Sequence, residues 1–233
     1  MFSFQLLSAL SSAAVLVSAA PAGPAPPFGG DECCSTAGAV MNLPANQTQL
    51  VSPTTAPLYV AVGVGIQNYT CAASTLKYTS TGAVASLFDI SCLDKTSAFA
   101  TIQTTAFDAW NAAPAGISPN TLGAKFGAST LLGYHYFIPS PSGTGISPKW
   151  DFTSTGKNAG NSSAFIVAAK AGDITDPTGN VAVNVDWLTL NNTQGSLASK
   201  VFRIDTVNGQ PPSSCVAGSA DISVKYTAKY FLY

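Results

Sequence analysis

One histidine occurs in the chain, His135, within the segment Gly133-Tyr-His-Tyr-Phe137. An imidazole between two tyrosines is a candidate general acid or base, and Asp151, Asp186 and Asp205 are carboxylates that could orient it. The competing reading is an imidazole that fills space among aromatics and hydrogen-bonds to backbone. Paired carboxylates for glycoside cleavage can be drawn from Asp89, Asp151, Asp186 and Asp205. Trp150, Trp187 and Phe202 could supply the apolar pocket that raises the pKa of an acid. Against a site, Asp186 and Asp205 can pair with Arg203 across neighbouring strands as a buried ion pair. The only glutamate, Glu32, sits in the Pro-rich lead-in before the domain and is a poor candidate. No Gly-x-Ser-x-Gly elbow accompanies His135, so a serine-hydrolase triad has no local support.

Other chemistries are poorly supplied. One histidine cannot build a His-rich zinc or copper centre, and the Asp173-Ile-Thr-Asp176 turn would at best assist a weak calcium site. No metal and no cofactor is expected. Gly63-Val-Gly65 begins like a dinucleotide-binding loop, with Asp89 near the place of a ribose-binding acid. The third glycine position is Asn68, however, and Tyr69-Thr-Cys71-Ala-Ala is no amphipathic helix that could hold a pyrophosphate. The glycines read instead as small residues on the packed face of a strand. Tyr69, Trp110 and Trp150 are candidates for a face that stacks on sugar rings.

The elements that must position these residues are mostly strands. In Leu58-Tyr-Val-Ala-Val-Gly-Val-Gly-Ile66 the large apolar residues alternate with small ones at period two. Similar segments are predicted at 84–90, 98–104, 131–138, 164–169, 181–190 and 200–206. The clearest is the last, where Ile222, Val224, Tyr226, Ala228, Tyr230 and Leu232 face one way and Ser223, Lys225, Thr227 and Lys229 the other. Pro/Gly/Asn turns such as Pro139-Ser-Pro-Ser-Gly143 and Asn208-Gly-Gln-Pro-Pro212 separate the runs. Only 104–113 reads as a short helix. The expected fold is all-β, an antiparallel sandwich or barrel with at most one or two short helices.

Residues 1–19 form an apolar run that ends in small residues, with Val17 and Ala19 at the recognition positions of a secretory signal peptide. Residues 20–57, rich in Pro, Ala, Ser and Thr, read as a loosely ordered lead-in, and 58–233 as a single β-rich domain. Charged residues make up 9% of the chain, against about 25% in ordinary soluble domains. With a formal net charge of -1 there is no electrostatic footprint for nucleic acid or an anionic membrane, and neither is an expected partner. Asn46, Asn68, Asn161 and Asn191 each head an Asn-x-Ser/Thr sequon, so sugar is expected to supply solubility, with Asn68 close to a strand.

Five cysteines, Cys33, Cys34, Cys71, Cys92 and Cys215, follow the leader. In an oxidising compartment they read as a disulfide framework with one thiol left over. Leaving out each in turn allows about 15 pairings. The preferred scheme joins Cys71 to Cys92 across a hairpin-sized loop and Cys215 to Cys33 or Cys34.

The order Gly63-Val-Gly-Ile-Gln-Asn-Tyr-Thr-Cys71, Leu87-Phe-Asp-Ile-Ser-Cys92, Gly133-Tyr-His-Tyr-Phe137, Ser147-Pro-Lys-Trp-Asp-Phe152, Val185-Asp-Trp-Leu188, Val201-Phe-Arg-Ile-Asp-Thr206 and Tyr226-Thr-Ala-Lys-Tyr-Phe231 resembles a secreted fungal and bacterial family. That family is catalogued only as a domain of unknown function, and its members are often labelled malate dehydrogenase. The resemblance implies an extracellular β-rich domain and no established activity. A malate dehydrogenase would need a His–Asp relay and arginines for two carboxylates, and in these motifs the chain offers only His135 and Arg203. The functional expectation is a secreted glycoprotein that binds a glycan, a host surface or a small ligand without catalysis. The alternative is an extracellular hydrolase of carbohydrate or ester, using His135 or an Asp pair.

Overall fold

The structure, a computed structural model, describes residues 34–119 and 130–233. The leader, Glu32 and Cys33 lie outside them. Among the described residues, eight strands, β1 (Tyr59–Ala72), β2 (Lys77–Asp89), β3 (Leu131–Pro139), β4 (Ile146–Asp151), β5 (Phe165–Ile174), β6 (Trp187–Gln194), β7 (Lys200–Asn208) and β8 (Ile222–Leu232), are accompanied by the helix α1 (Ser97–Ala112) and two single 3-10 turns. Each strand pairs antiparallel with its neighbours in sequence, and β8 returns to pair with β1. The sheet is a closed barrel, not a sandwich, and closure gives every strand a neighbour on both sides.

Alternation in β1 explains how the wall is packed. Val60, Val62 and Val64 point outward into an apolar layer with Ile102 and Trp110 of α1. Ala61 and the intervening glycines point inward. Opposite them in register, Gly65 meets Tyr226, Gly63 meets Ala228 and Ala61 meets Tyr230. The small residues make room for large ones. A Cβ on Gly63 would sit 2.4 Å from Tyr230 Cε2, and one on Gly65 would sit 2.1 Å from the Val84 carbonyl oxygen. The glycine spacing therefore serves barrel packing at mid-strand, where no phosphate-binding loop exists.

α1 begins earlier than its sequence suggests, and the segment 98–104 is helical instead of a strand. Phe99, Ile102, Ala106 and Trp110 recur at helical spacing and all join the outer apolar layer. The opposite face of β8 fastens the helix. Lys225 Nζ donates to the carbonyls of Trp110 (2.8 Å), Asn111 (3.3 Å) and Ala113 (3.2 Å), a cation capping the helix C-terminus. Thr227 Oγ1 donates to Gln103 O at 2.7 Å. Both faces of β8 are thus buried, one by the barrel interior and one by α1.

Two further differences follow from local chemistry. The strand expected over 181–190 begins only at Trp187. β4 went unnoticed in sequence because it contains Pro148, yet its ladder to β5 begins only after that residue, at Lys149. The lead-in is fastened from residue 34 onward: Ala39, Met41 and Leu50 are buried in the outer layer although 34–57 contains no helix or strand.

The cysteine scheme is corrected. Cys34 bonds Cys92, and Cys71 bonds Cys215. Cys71 ends β1 and Cys215 precedes β8, so barrel closure brings together residues 144 apart in sequence. The hairpin pairing of Cys71 with Cys92 fails because β2 carries the chain back along the barrel. Cys71 lies opposite Tyr78 near the start of β2, while Cys92 follows its end.

Candidate functional site

His135 lies inside the barrel and is 3% exposed. It stacks on Trp150 at 4.4 Å, its partner in the β3–β4 register, and lies 5.8 Å from the ring of Tyr230. Nδ1 is 2.9 Å from the Lys149 carbonyl. A carbonyl only accepts, so Nδ1 carries the proton and the neutral ring keeps its lone pair at Nε2. Burial pushes the imidazole down to about 4, with the charge of Arg203 adding to the effect and the Lys149 carbonyl opposing it.

The structure does not bring His135 to any of its three expected carboxylate partners. Asp151 points to the other face of β4, because residues alternate and Trp150 points inward. It accepts from Tyr136 OH (2.6 Å) and Thr153 Oγ1 (2.6 Å) and pairs with Lys149 Nζ (2.8 Å). Burial alone would raise this carboxyl, but those donors hold it well below the usual range. Asp205 sits in a bulge where β7 slips against β8 between Ile204 and Val207, with φ of 50°. The bulge turns its carboxylate away from Arg203 and onto Lys229 Nζ at 2.9 Å, beneath α1. Asp186 stands at the barrel mouth, where Arg203 Nε (3.2 Å) and Nη2 (2.8 Å) donate to its backbone carbonyl. Its own carboxyl is raised, by burial first and against the nearby Arg203 charge. The expected ion pair of Arg203 with Asp186 and Asp205 is therefore replaced by a backbone contact and a Lys229 pair. Asp89, the remaining carboxylate candidate, accepts from Ser91 N and Oγ at the end of β2.

The neutral buried imidazole has a measurable consequence. Well above pH 6.5, its ordinary value, its contribution to stability is fully present. As pH falls toward about 4, the unfolded chain takes up a proton that the folded ring refuses, and stability declines by about 3 kcal/mol from this group. Urea unfolding across this range should show that decline in the wild type and a flatter profile in His135→Phe. Superimposable profiles would contradict it.

The aromatic residues proposed to stack on sugar are all buried: Tyr69 is 6%, Trp110 2% and Trp150 1% exposed. Trp110 Nε1 donates to Gly65 O at 2.7 Å, anchoring α1 to β1. They offer no platform to a glycan. Among the described residues no group of three or more His, Cys, Asp or Glu side chains stands together. Of the sequons, Asn46, Asn161 and Asn191 are exposed, whereas Asn68 is half-buried in β1 and accepts from Ser223 Oγ at 2.7 Å.

A cavity missed in the sequence opens between α1 and the outer barrel wall. It has a volume of about 330 Å³ and is lined by Val62, Val64, Phe88 and Ile90 of the wall and its flank, with Ile102 and Ala106 of the helix. Among the described residues that line it, Thr105 and Thr130 carry hydroxyls. The signal that could have found it is the alanine-rich character of α1, whose short side chains hold the helix against the wall without filling the space.

The fold and its interior define a closed, eight-stranded antiparallel barrel with aromatic and polar side chains in its core and the helix α1 on its outer wall. The chain belongs to the family described as "Protein of unknown function (DUF3455)", whose model matches residues 52–233. Comparison with curated proteins and with solved structures gave no match.

Proposed function

We propose that the protein is a secreted glycoprotein that works outside the cell as a non-catalytic binding protein for a small, largely hydrocarbon ligand. The observation that carries this reading is the cavity of about 330 Å³ beneath α1, whose wall is almost wholly apolar. A space lined this way selects by shape and apolar area, since a polar ligand would lose its hydrogen bonds to water without replacement. Two disulfides are compatible with an oxidising extracellular compartment. The leader-like residues 1–19 and the exposed Asn46, Asn161 and Asn191 support secretion and glycosylation. The hydrolase alternative has weaker support, because Asp151 and Asp205 are engaged by lysines on other faces and Asp186 makes no hydrogen bond to His135 among the described residues.

The test is binding of the uncharged apolar dye N-phenyl-1-naphthylamine to the secreted protein, followed by its fluorescence. Saturable uptake at one dye per chain is expected. Ala106→Phe should fill the cavity and weaken uptake by about tenfold or more while the thermal unfolding temperature stays near that of the wild type. Equal binding by wild type and variant, or none by either, would sink the reading.

A further inference from the structure

We propose that the barrel interior holds a second site, separate from the cavity beneath α1, that takes the carboxylate of a small organic acid. The donors are Trp150 Nε1, Gln67 Nε2, Arg203 and the Tyr226–Tyr230 hydroxyl pair.

The starting observation is a pair of buried donors without partners. Trp150 is 1% and Gln67 6% exposed, and among the described residues neither Trp150 Nε1 nor Gln67 Nε2 has a hydrogen-bond acceptor. Buried polar groups are normally satisfied, so two orphaned donors in one compartment point to an absent acceptor. The other groups around them are also donor-rich. Tyr226 OH and Tyr230 OH lie 2.9 Å apart in full burial. One hydroxyl donates to the other, which leaves the second proton without a place in the pair. Arg203 lies opposite Tyr230 in the β7–β8 register, and its Nε and Nη2 both donate to the Asp186 carbonyl. The interior has one basic nitrogen acceptor, the Nε2 of neutral His135. Two of its donors are orphaned, and the compartment carries the positive charge of Arg203.

Contacts through the two tyrosines link these groups along the barrel interior. The Trp150 ring lies 5.9 Å from that of Tyr230. Gln67 and Tyr226 both flank Gly209, whose carbonyl accepts from Tyr69 OH at 2.7 Å. Arg203 and Asp186 are half-buried whereas Gln67, Trp150 and both tyrosines are buried, so entry is at the Arg203 mouth. Asp186 does not close that mouth with an ion pair: among the described residues its carboxylate forms no salt bridge with Arg203. A carboxylate fits this environment because it presents only acceptors, matches a planar guanidinium fork and supplies the missing charge. The stacked His135 and Trp150 leave an aromatic wall beside it, which suits a small acid with a compact apolar tail.

The experiment follows the indole N–H resonances of the three tryptophans by NMR during titration with sodium propionate at neutral pH and constant ionic strength. Propionamide serves as the uncharged control. Trp150→Phe assigns the resonance. Propionate should shift the Trp150 signal saturably while Trp110 and Trp187 stay in place, and propionamide should shift nothing. Arg203→Gln should weaken binding by about tenfold or more, and Gln67→Leu, which removes an orphaned donor without creating another, by a smaller factor. An unmoved Trp150 signal overturns the site and identifies the interior as merely water-filled. So does equal response to the amide, or unchanged affinity in Gln67→Leu with the other two indole signals in their native positions. Failure here leaves the dye-binding result untouched, since the two sites lie on opposite faces of the barrel wall.

Discussion

Replacing Cys71 and Cys215 together by serine will lower the unfolding free energy by about 5 kcal/mol. The bond joins the end of β1 to the loop before β8, across the seam where the first and last strands meet, and spans 144 residues. In the chain-entropy account, a cross-link stabilises by restricting the unfolded ensemble, with a gain that rises with the logarithm of the loop it closes. Here the loop is most of the barrel. The Cys34–Cys92 bond spans 58 residues, which the same relation sets at about 4 kcal/mol. The seam bond should therefore matter more, though modestly so, and its loss should also slow folding if β1–β8 pairing forms late. Denaturant titration under non-reducing conditions reads the effect directly. A seam variant within about 1 kcal/mol of the wild type would mean that the unfolded chain keeps the seam residues close without the bond.

Asp205→Asn will destabilise the protein by about 3 kcal/mol. The Lys229 side chain is 4% exposed, and Asp205 Oδ2 at 2.9 Å is its ion-pair partner. Asparagine tolerates the positive φ of the bulge, so the variant removes charge without adding backbone strain. What remains is an ammonium group buried between β8 and α1, over the ring of Phe99 at 4.8 Å, without its counter-charge. Adding Lys229→Met should recover most of the loss, because an apolar side chain suits that layer. If the single variant unfolds with the wild type, the pair is better solvated than its burial indicates. The result bears on chemistry as well. As a catalytic acid Asp205 would affect turnover, whereas as a partner of Lys229 it affects stability alone.

This contrast shows why the carboxylates were hard to read from sequence. In Val201-Phe-Arg-Ile-Asp205, regular alternation puts Arg203 and Asp205 on one face. A single slip in the β7–β8 register separates them, leaving Arg203 in the interior and sending Asp205 beneath the helix. The segment 98–104 failed for a related reason. Its small and apolar residues alternate briefly in a strand-like way, and the helical recurrence from Phe99 to Trp110 becomes visible only over the longer span. The membership in a family catalogued by an unknown-function domain was legible, because the motifs from Gly63 to Phe231 occur in order.

By itself the sequence determined the all-β class, the strand faces of β1 and β8, the absence of room for a glycine-loop nucleotide site, and which cysteine types could staple the domain. Those properties are local: period-two alternation, turn residues and composition. The tertiary structure alone decided that both faces of β1 and β8 are buried, that Cys71 meets Cys215, and that His135 and its candidate carboxylates are kept apart. It also created the apolar cavity beneath α1 and left two buried donors, Trp150 Nε1 and Gln67 Nε2, without acceptors among the described residues. Each depends on closure of the barrel between strands at opposite ends of the chain, or on a bulge that reverses a side chain. Neither is encoded in the spacing of neighbouring residues, because both result from contacts that exist only once distant segments have packed.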